Sequence, residues 1–289
     1  MIPGKFDYFA PGTLAEALAT LDQYPGEAKV LAGGQSLIPA MRFRLSVPKV
    51  LVDLSGMESL EYIRESDGRL AIGAMTREAT LEDWEHGHKR YGMLADASRV
   101  IADPVVRNRS TVGGNLAHAD PANDHPAVML AYNAEIVAQG SAGTRTIGID
   151  DFFVDLFQSA LATNEVLTEI RIPVPSPHSG GAYEKMERKV GDYAISAVAA
   201  QLTMEGGVCT AARIALTNVS QTPMRARNAE QALVGKTLTD DVLEAAGKAA
   251  AAECDPTADL RGSVDYKRDL TRVLTNRAIR RAVERANGG

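Results

Sequence analysis

The sequence predicts an α+β protein of two domains, and three observations carry that reading. At the amino end a capped helix and short apolar runs alternate as in a small β-α-β-like unit. Near the middle, Pro173-Val174-Pro175-Ser176-Pro177-His178-Ser179-Gly180-Gly181 reads as a linker: alternate prolines favour extended backbone, and the glycines then restore freedom. Beyond it, strand-like runs come first and helical runs last, the segregated order of an α+β domain. A chain of 289 residues has room for two domains and a sizeable core.

The elements follow in order. Thr13-Leu14-Ala15-Glu16 is a capping box, and Leu14, Ala17, Leu18 and Leu21 mark one face of a helix that stops near Pro25-Gly26. A strand at 29–31 runs into Gly33-Gly34, and a short helical or irregular piece over 37–45 leads to a buried strand at 50–53. Residues 60–63 and 70–72 form a hairpin about Ser66-Asp67-Gly68. Helices are expected over 76–84 and 91–101, the second ended by Asp103-Pro104. A second glycine pair, Gly113-Gly114, lies in a polar, turn-rich stretch before a helix at 126–132. Strands at 135–138 and 145–149 bracket the turn 140–143, and a strand at 165–172 closes the first domain. Past the linker, strands are expected at 182–188, 194–204 and 208–216, then helices at 224–233, 239–254 and 264–286.

Composition excludes several functions. A net charge of −6 argues against a nucleic-acid or anionic-membrane partner. No apolar run approaches the roughly 20 residues that span a bilayer. The amino end lacks a signal-peptide core, which leads us to expect a cytoplasmic protein. Cys209 and Cys254 are too few and too far apart for an iron–sulfur cluster, which takes about four thiolates. No G-x-G-x-x-G follows a strand and no G-x-x-x-x-G-K-[ST] occurs, so neither a Rossmann nor a P-loop site is expected.

What remains is the glycine pairs. Ala32-Gly33-Gly34-Gln35-Ser36 follows a strand, and Thr111-Val112-Gly113-Gly114-Asn115 repeats the idea. Adjacent glycines let a ligand approach the main chain and let successive N–H groups converge on an anion. Together the two suggest a cradle for a diphosphate. The stretch His118-Ala119-Asp120-Pro121-Ala122-Asn123-Asp124-His125 offers metal-ligand types. Pro121 breaks the helix that would converge them, so a polar loop facing a ribityl or ribose chain is the better reading, and no metal site is assigned. Lys185 or Arg188 could turn back to a ligand, whereas His86 and His88 are given no role. Neither a nucleophile–base set nor paired carboxylates stand out, so no catalytic residue is assigned, a pattern that fits a cofactor supplying the chemistry.

The two loops resemble the pyrophosphate loops of the FAD subunits of the molybdenum hydroxylases, the family of xanthine dehydrogenase and aerobic carbon monoxide dehydrogenase. The resemblance extends through Ile101-Ala102-Asp103-Pro104 and Arg188-Lys189-Val190-Gly191-Asp192-Tyr193 to Leu216-Thr217-Asn218-Val219. The resemblance includes the carbon monoxide branch, with its medium flavoprotein subunit. The resemblance implies a vanillyl-alcohol-oxidase (PCMH)-type FAD domain over 1–175, in subdomains of about 1–56 and 57–175, and a C-terminal domain over 176–289 with a three-stranded antiparallel sheet and helices. It implies that Ala32 to Ser36 and Thr111 to Asn115 hold the diphosphate, while Asp124, His118 and Asp120 face the ribityl or ring side. Ile101 would pack on the isoalloxazine, Tyr193 would close over it, and Leu161 and Lys185 would add contacts. It further implies a large partner with a molybdenum centre, with or without copper, and a small partner with two [2Fe–2S] clusters. The assembly would be a dimer of heterotrimers passing electrons to a quinone or quinone-linked carrier, with any membrane association made through partners. Other molybdenum hydroxylases, acting on xanthine, nicotine-type heterocycles or aldehydes, are the main alternative. A stand-alone flavoenzyme, or a regulator using the His118–His125 cluster, would be a different class of protein.

Overall fold

The computed structural model describes residues 2–288, without the side chain of His86. The expected chain-end residues Met1 and Gly289, and the His86 side chain, lie outside what it describes.

The amino-terminal unit comprises β1 (Asp7–Phe9), α1 (Leu14–Gln23), β2 (Ala28–Leu31), α2 (Leu37–Arg42) and β3 (Val50–Asp53). Its three strands form a parallel sheet in the order β1-β3-β2. The Thr13–Glu16 capping box forms in both directions, and α1 buries Ala17, Leu18 and Leu21 against Val50 and Val52. Because β2 and β3 are parallel, the chain leaves β2 at the same edge of the sheet as it leaves β3. The first glycine loop therefore sits at the carboxyl edge, where open parallel sheets place their ligands.

Next come β4 (Ile63–Ser66), β5 (Arg69–Gly73), α3 (Glu78–Glu82), α4 (Glu85–His88), α5 (Gly92–Val100), α6 (Pro104–Arg107), α7 (Val112–His118) and α8 (Asp124–Tyr132). They are followed by β6 (Glu135–Gly140), β7 (Gly143–Gly148), β8 (Phe153–Asp155), β9 (Gln158–Ser159) and β10 (Val166–Pro173). Five of these strands make an antiparallel sheet in the order β4-β5-β10-β6-β7, and β8 and β9 pair separately. Helix α8 is buried along its whole length, with apolar residues on every side, as a central core helix requires.

The remainder is β11 (Ser179–Glu187), β12 (Ala194–Glu205), β13 (Val208–Thr217), β14 (Met224–Arg225), α9 (Arg227–Leu233), α10 (Asp240–Glu253) and α11 (Val264–Ala286). The sheet β11-β12-β13-β14 is antiparallel and covered on both faces. Successive side chains of a strand alternate between faces. Ala197 and Ala199 of β12 thus join the core around α5 and α8, while Val198, Ala200 and Leu202 join the core under α9, α10 and α11. No helix among the described residues is long and apolar enough to cross a membrane.

Three expectations need correction. The C-terminal sheet has four strands rather than three, because Met224 and Arg225, expected to open a helix, pair with Leu216 and Ala215. Ala226 is non-helical (φ −87°, ψ 75°), so the helix starts only at Arg227. Gly180 and Gly181 are not linker: they lie inside β11, where a Cβ on Gly180 would collide with the Ala282 carbonyl and a Cβ on Gly181 would lie 2.3 Å from Gln201 Oε1 and 3.1 Å from Met93. Their bareness lets α11 and α5 approach the strand from opposite sides. Finally, the second glycine pair lies inside α7, with Thr111 as its N-cap.

Candidate functional site

A cleft of about 670 Å³ runs between the amino-terminal unit, the α5–α8 region and the Gly191-Asp192-Tyr193 loop. It gathers most of the residues that the sequence singled out: Ala32 to Ser36, Ile101, Thr111, Gly114, Asn115, His118, Asp124, Leu161 and Tyr193 all line it. Val112, Gly113, Asp120 and Lys185 do not.

The first loop is built to donate. Gly34 has φ +75°, a left-handed conformation open to glycine at no steric cost. Among the described residues, no oxygen accepts from the N–H groups of Gly33, Gly34, Gln35 or Ser36. Four adjacent free donors at the mouth of a cleft suit a diphosphate. Gly33 is held to glycine for another reason: a Cβ there would strike the Arg109 carbonyl oxygen and lie 2.6 Å from Ser110 Cα. One loop rests directly on the segment that begins the other.

The second loop differs, and the expectation that its main chain also donates to a diphosphate is corrected. Val112 N donates to Thr76 O at 3.0 Å and Gly113 N to Ala74 O at 3.0 Å. Gly114 N donates to Thr111 Oγ1 at 3.1 Å, and Asn115 N to Thr111 O at 2.9 Å. Every one of those N–H groups is spent inside the protein. Gly113 allows close packing, since a Cβ on it would lie 2.6 Å from Ala74 Cβ. What this loop offers the cleft is side chain. Asn115 Oδ1 is buried without a partner, while its Nδ2 lies 3.5 Å from Glu78 Oε1. An amide oxygen left without a partner beside a cleft suits a polar ligand there.

Other lining residues are apolar or aromatic. Ile101 is buried at its wall, and the His118 ring lies 5.3 Å from the Phe157 ring, which also lines the cleft. Burial holds the His118 imidazole below its ordinary pKa, against the pull of Asp120. Asp120 itself turns away and accepts from Ala122 N at 2.9 Å. Tyr193 is half exposed, with the Arg261 guanidinium 5.8 Å from its ring centre and Asp192 bonded to the same arginine at 2.8 Å.

Asp124 lines the cleft, and Lys185 stands behind it. The Asp124 carboxylate accepts from Tyr183 Oη at 2.6 Å and from Lys185 Nζ at 3.1 Å, so β11 reaches across to the start of α8. Burial raises its pKa, with Lys185 and Tyr183 opposing. Lys185 is buried and donates as well to Val100 O at 2.9 Å. Its expected contact with a ligand is thus corrected to support of the wall. The polar stretch does not converge on a metal geometry either, because His118, Asp120, Asp124 and His125 each serve a different partner. His125 Nε2 pairs with Glu78 Oε2 at 2.6 Å, both fully buried. Burial depresses the His125 pKa, but the Glu78 charge and hydrogen bond outweigh it and the net shift is upward.

Several contributors escaped the sequence reading. Gly191 (φ +80°) lies against Ala102, where a Cβ would be 2.5 Å from the Ala102 oxygen. Phe157 has φ +56° and reaches the cleft from an exposed turn. Arg107 is buried and bonded to Glu82, and one arginine among many gives no sequence signal of that kind. The Gly191-Asp192-Tyr193 segment was the one available clue.

Comparison with known proteins identifies the family. Residues 4–175 match the family model of the FAD binding domain in molybdopterin dehydrogenase, and residues 181–282 match that of the CO dehydrogenase flavoprotein C-terminal domain. The chain is 43% identical to the carbon monoxide dehydrogenase medium chain of Hydrogenophaga pseudoflava, over 98% of each chain. It is 38% identical to the 6-hydroxypseudooxynicotine dehydrogenase complex subunit alpha of Paenarthrobacter nicotinovorans, over 99% of this chain and 97% of that one. A solved carbon monoxide dehydrogenase structure from Hydrogenophaga pseudoflava superposes with a TM-score of 0.96 at 44% identity, covering 99% of each chain. The chain belongs to the family of FAD-binding medium subunits of the carbon monoxide dehydrogenase and xanthine dehydrogenase type.

Proposed function

We propose that this chain is the FAD-carrying medium subunit of an aerobic carbon monoxide dehydrogenase. The observation that carries the reading is whole-length kinship, at 43% identity, with a medium chain of that enzyme. In this reading residues 1–175 are a PCMH-type FAD domain, with subdomains of about 1–56 and 57–175, and residues 176–289 are the C-terminal domain. Bound FAD supplies redox chemistry that the side chains lack.

The chain's own residues bind, orient and shield. The free N–H groups of Gly33 to Ser36 would hold the diphosphate, with Thr111, Gly114 and Asn115 on its other side and Ala32 at the base. Val112 and Gly113 would fix that second side by packing. Ile101, Leu161, His118, Asp124 and Tyr193 would enclose the ring end and exclude water, supported from behind by Asp120 and Lys185.

The substrate would be oxidised elsewhere: CO + H2O gives CO2, two electrons and two protons at a molybdenum centre, with or without copper, on a large partner. A small partner with two [2Fe–2S] clusters would relay electrons to this chain, and a quinone or quinone-linked carrier would remove them. The assembly is a dimer of heterotrimers in the cytoplasm. The 38% identity to a subunit named for 6-hydroxypseudooxynicotine supports a second reading, a molybdenum hydroxylase of heterocycles. Purification of the native complex, metal analysis and addition of CO distinguish the two. Bleaching of the flavin absorbance by CO supports the first. Bleaching by a nicotine-type heterocycle alone replaces it with the second.

A further inference from the structure

Three consecutive main-chain carbonyls, those of Val100, Ile101 and Ala102, are held by two cations whose side chains are largely buried. Arg107 Nη1 donates to Ile101 O at 2.9 Å and to Ala102 O at 3.1 Å. Lys185 Nζ, from β11, donates to Val100 O at 2.9 Å. Arg107 is seated in turn on Glu82 of α3, through Nε at 2.7 Å and Nη2 at 3.1 Å. The guanidinium fork is used at both ends: one carboxylate fixes it, and two carbonyls are fixed by it.

The turn so gripped is an unusual one. Ala102 has φ +47°, a left-handed conformation that residues with a Cβ seldom adopt and that persists only where surroundings over-determine it. Those surroundings include Arg107 and Gly191, the latter able to approach only because it has no Cβ. In a trans peptide the N–H points opposite to the C=O. Drawing the Ile101 carbonyl toward Arg107 therefore turns the Ala102 N–H away from it. That N–H has no acceptor among the described residues, and both Ile101 and Ala102 line the cleft.

We infer that Arg107, anchored on Glu82, is a positioning residue that sets the Ile101–Ala102 turn so that it offers an apolar side chain and a free N–H donor to the edge of a flat heteroaromatic ring. The inference rests on the FAD reading and goes one step past it, naming how one wall of the ring site is built. It makes no claim on the diphosphate end.

The test uses the purified complex with wild-type chain, R107M, R107K and E82Q, followed by visible circular dichroism of the flavin, FAD affinity and thermal melting. R107M is expected to change the visible dichroism and to weaken FAD by about tenfold or more, the loss of a charged hydrogen-bond anchor. R107K should recover melting but not the flavin signal, because an ammonium cannot hold Glu82 and both carbonyls in one plane. A merely structural charge would be rescued in both readouts. E82Q should move the same dichroic band, less strongly. Wild-type flavin dichroism in R107M, or in E82Q where R107M fails to fold, with FAD affinity within about twofold of wild type, overturns the inference. A wild-type complex whose chain holds no FAD overturns the reading beneath it, and is recognised before any variant is made.

Discussion

Gly33 and Arg109 touch main chain to main chain: any Cβ on Gly33 would strike the Arg109 carbonyl oxygen. The first glycine loop therefore does two things with two glycines. Gly34 supplies the left-handed turn, and Gly33 supplies the seat on the second loop. Gly33→Ala is expected to lower stability by about 2 kcal/mol and to abolish FAD retention, as overpacking against rigid backbone does. Gly114→Ala is expected to be milder. It sits in a helix, where alanine gains up to about 1 kcal/mol over glycine, and its new Cβ would crowd only the Thr111 hydroxyl. Denaturant unfolding and flavin content check both. Equal damage from the two substitutions would mean that loop-on-loop contact is not what Gly33 provides.

The two halves of the chain are pinned by Asp96. Buried on α5, it accepts from Arg281 at 2.7 Å, from Arg285 at 2.7 and 2.9 Å, and from Tyr183 N at 3.1 Å. Removing one member of such a cluster leaves charges and a main-chain donor uncompensated. Asp96→Ala is expected to cost about 3 kcal/mol in denaturant unfolding. Asp240→Ala, which breaks only the exposed pair with Arg280, should cost less than about 1 kcal/mol.

The histidines should titrate apart. His125 is expected above the ordinary imidazole value and His118 below it, readable by NMR of the two rings. The linkage sign follows. His125 binds its proton more tightly when folded, so its contribution is complete below the ordinary imidazole pKa and disappears as pH rises through the folded value. The stability difference between wild type and His125→Asn should therefore shrink from mildly acidic to alkaline pH. A difference that grows would mean that the Glu78–His125 pair is not charged.

FAD binding should itself stabilise the fold. At free FAD a thousand times its dissociation constant, linkage gives about 4 kcal/mol. Stripping FAD from the complex should lower the melting temperature, and added FAD should restore it in proportion to the logarithm of its concentration. A melting temperature indifferent to FAD would place the cofactor outside this chain.

How far the sequence foretold this arrangement depends on the range of the forces involved. The Thr13–Glu16 cap, the β2 strand and the Gly33-Gly34 loop are local, and propensity with spacing suffices to read them. α7 was not readable, because two glycines argue against a helix. There the need to press Gly113 onto Ala74 overrides propensity. Gly180 and Gly181 read as linker in the sequence, since the residues that demand their bareness, Ala282, Gln201 and Met93, lie away from them along the chain. The Arg107–Glu82 seat joins residues 25 apart and shows no pattern at all. The task of Lys185 depends on Val100 and Asp124, which lie 85 and 61 residues away along the chain.

The account turns on the cleft above Gly33 to Ser36 being an FAD site. Flavin extracted from the purified complex and counted against this chain tests it most directly. The account predicts one FAD per chain in the wild type and none in Gly33→Ala. A full complement of FAD in Gly33→Ala, or none in the wild type, would contradict it.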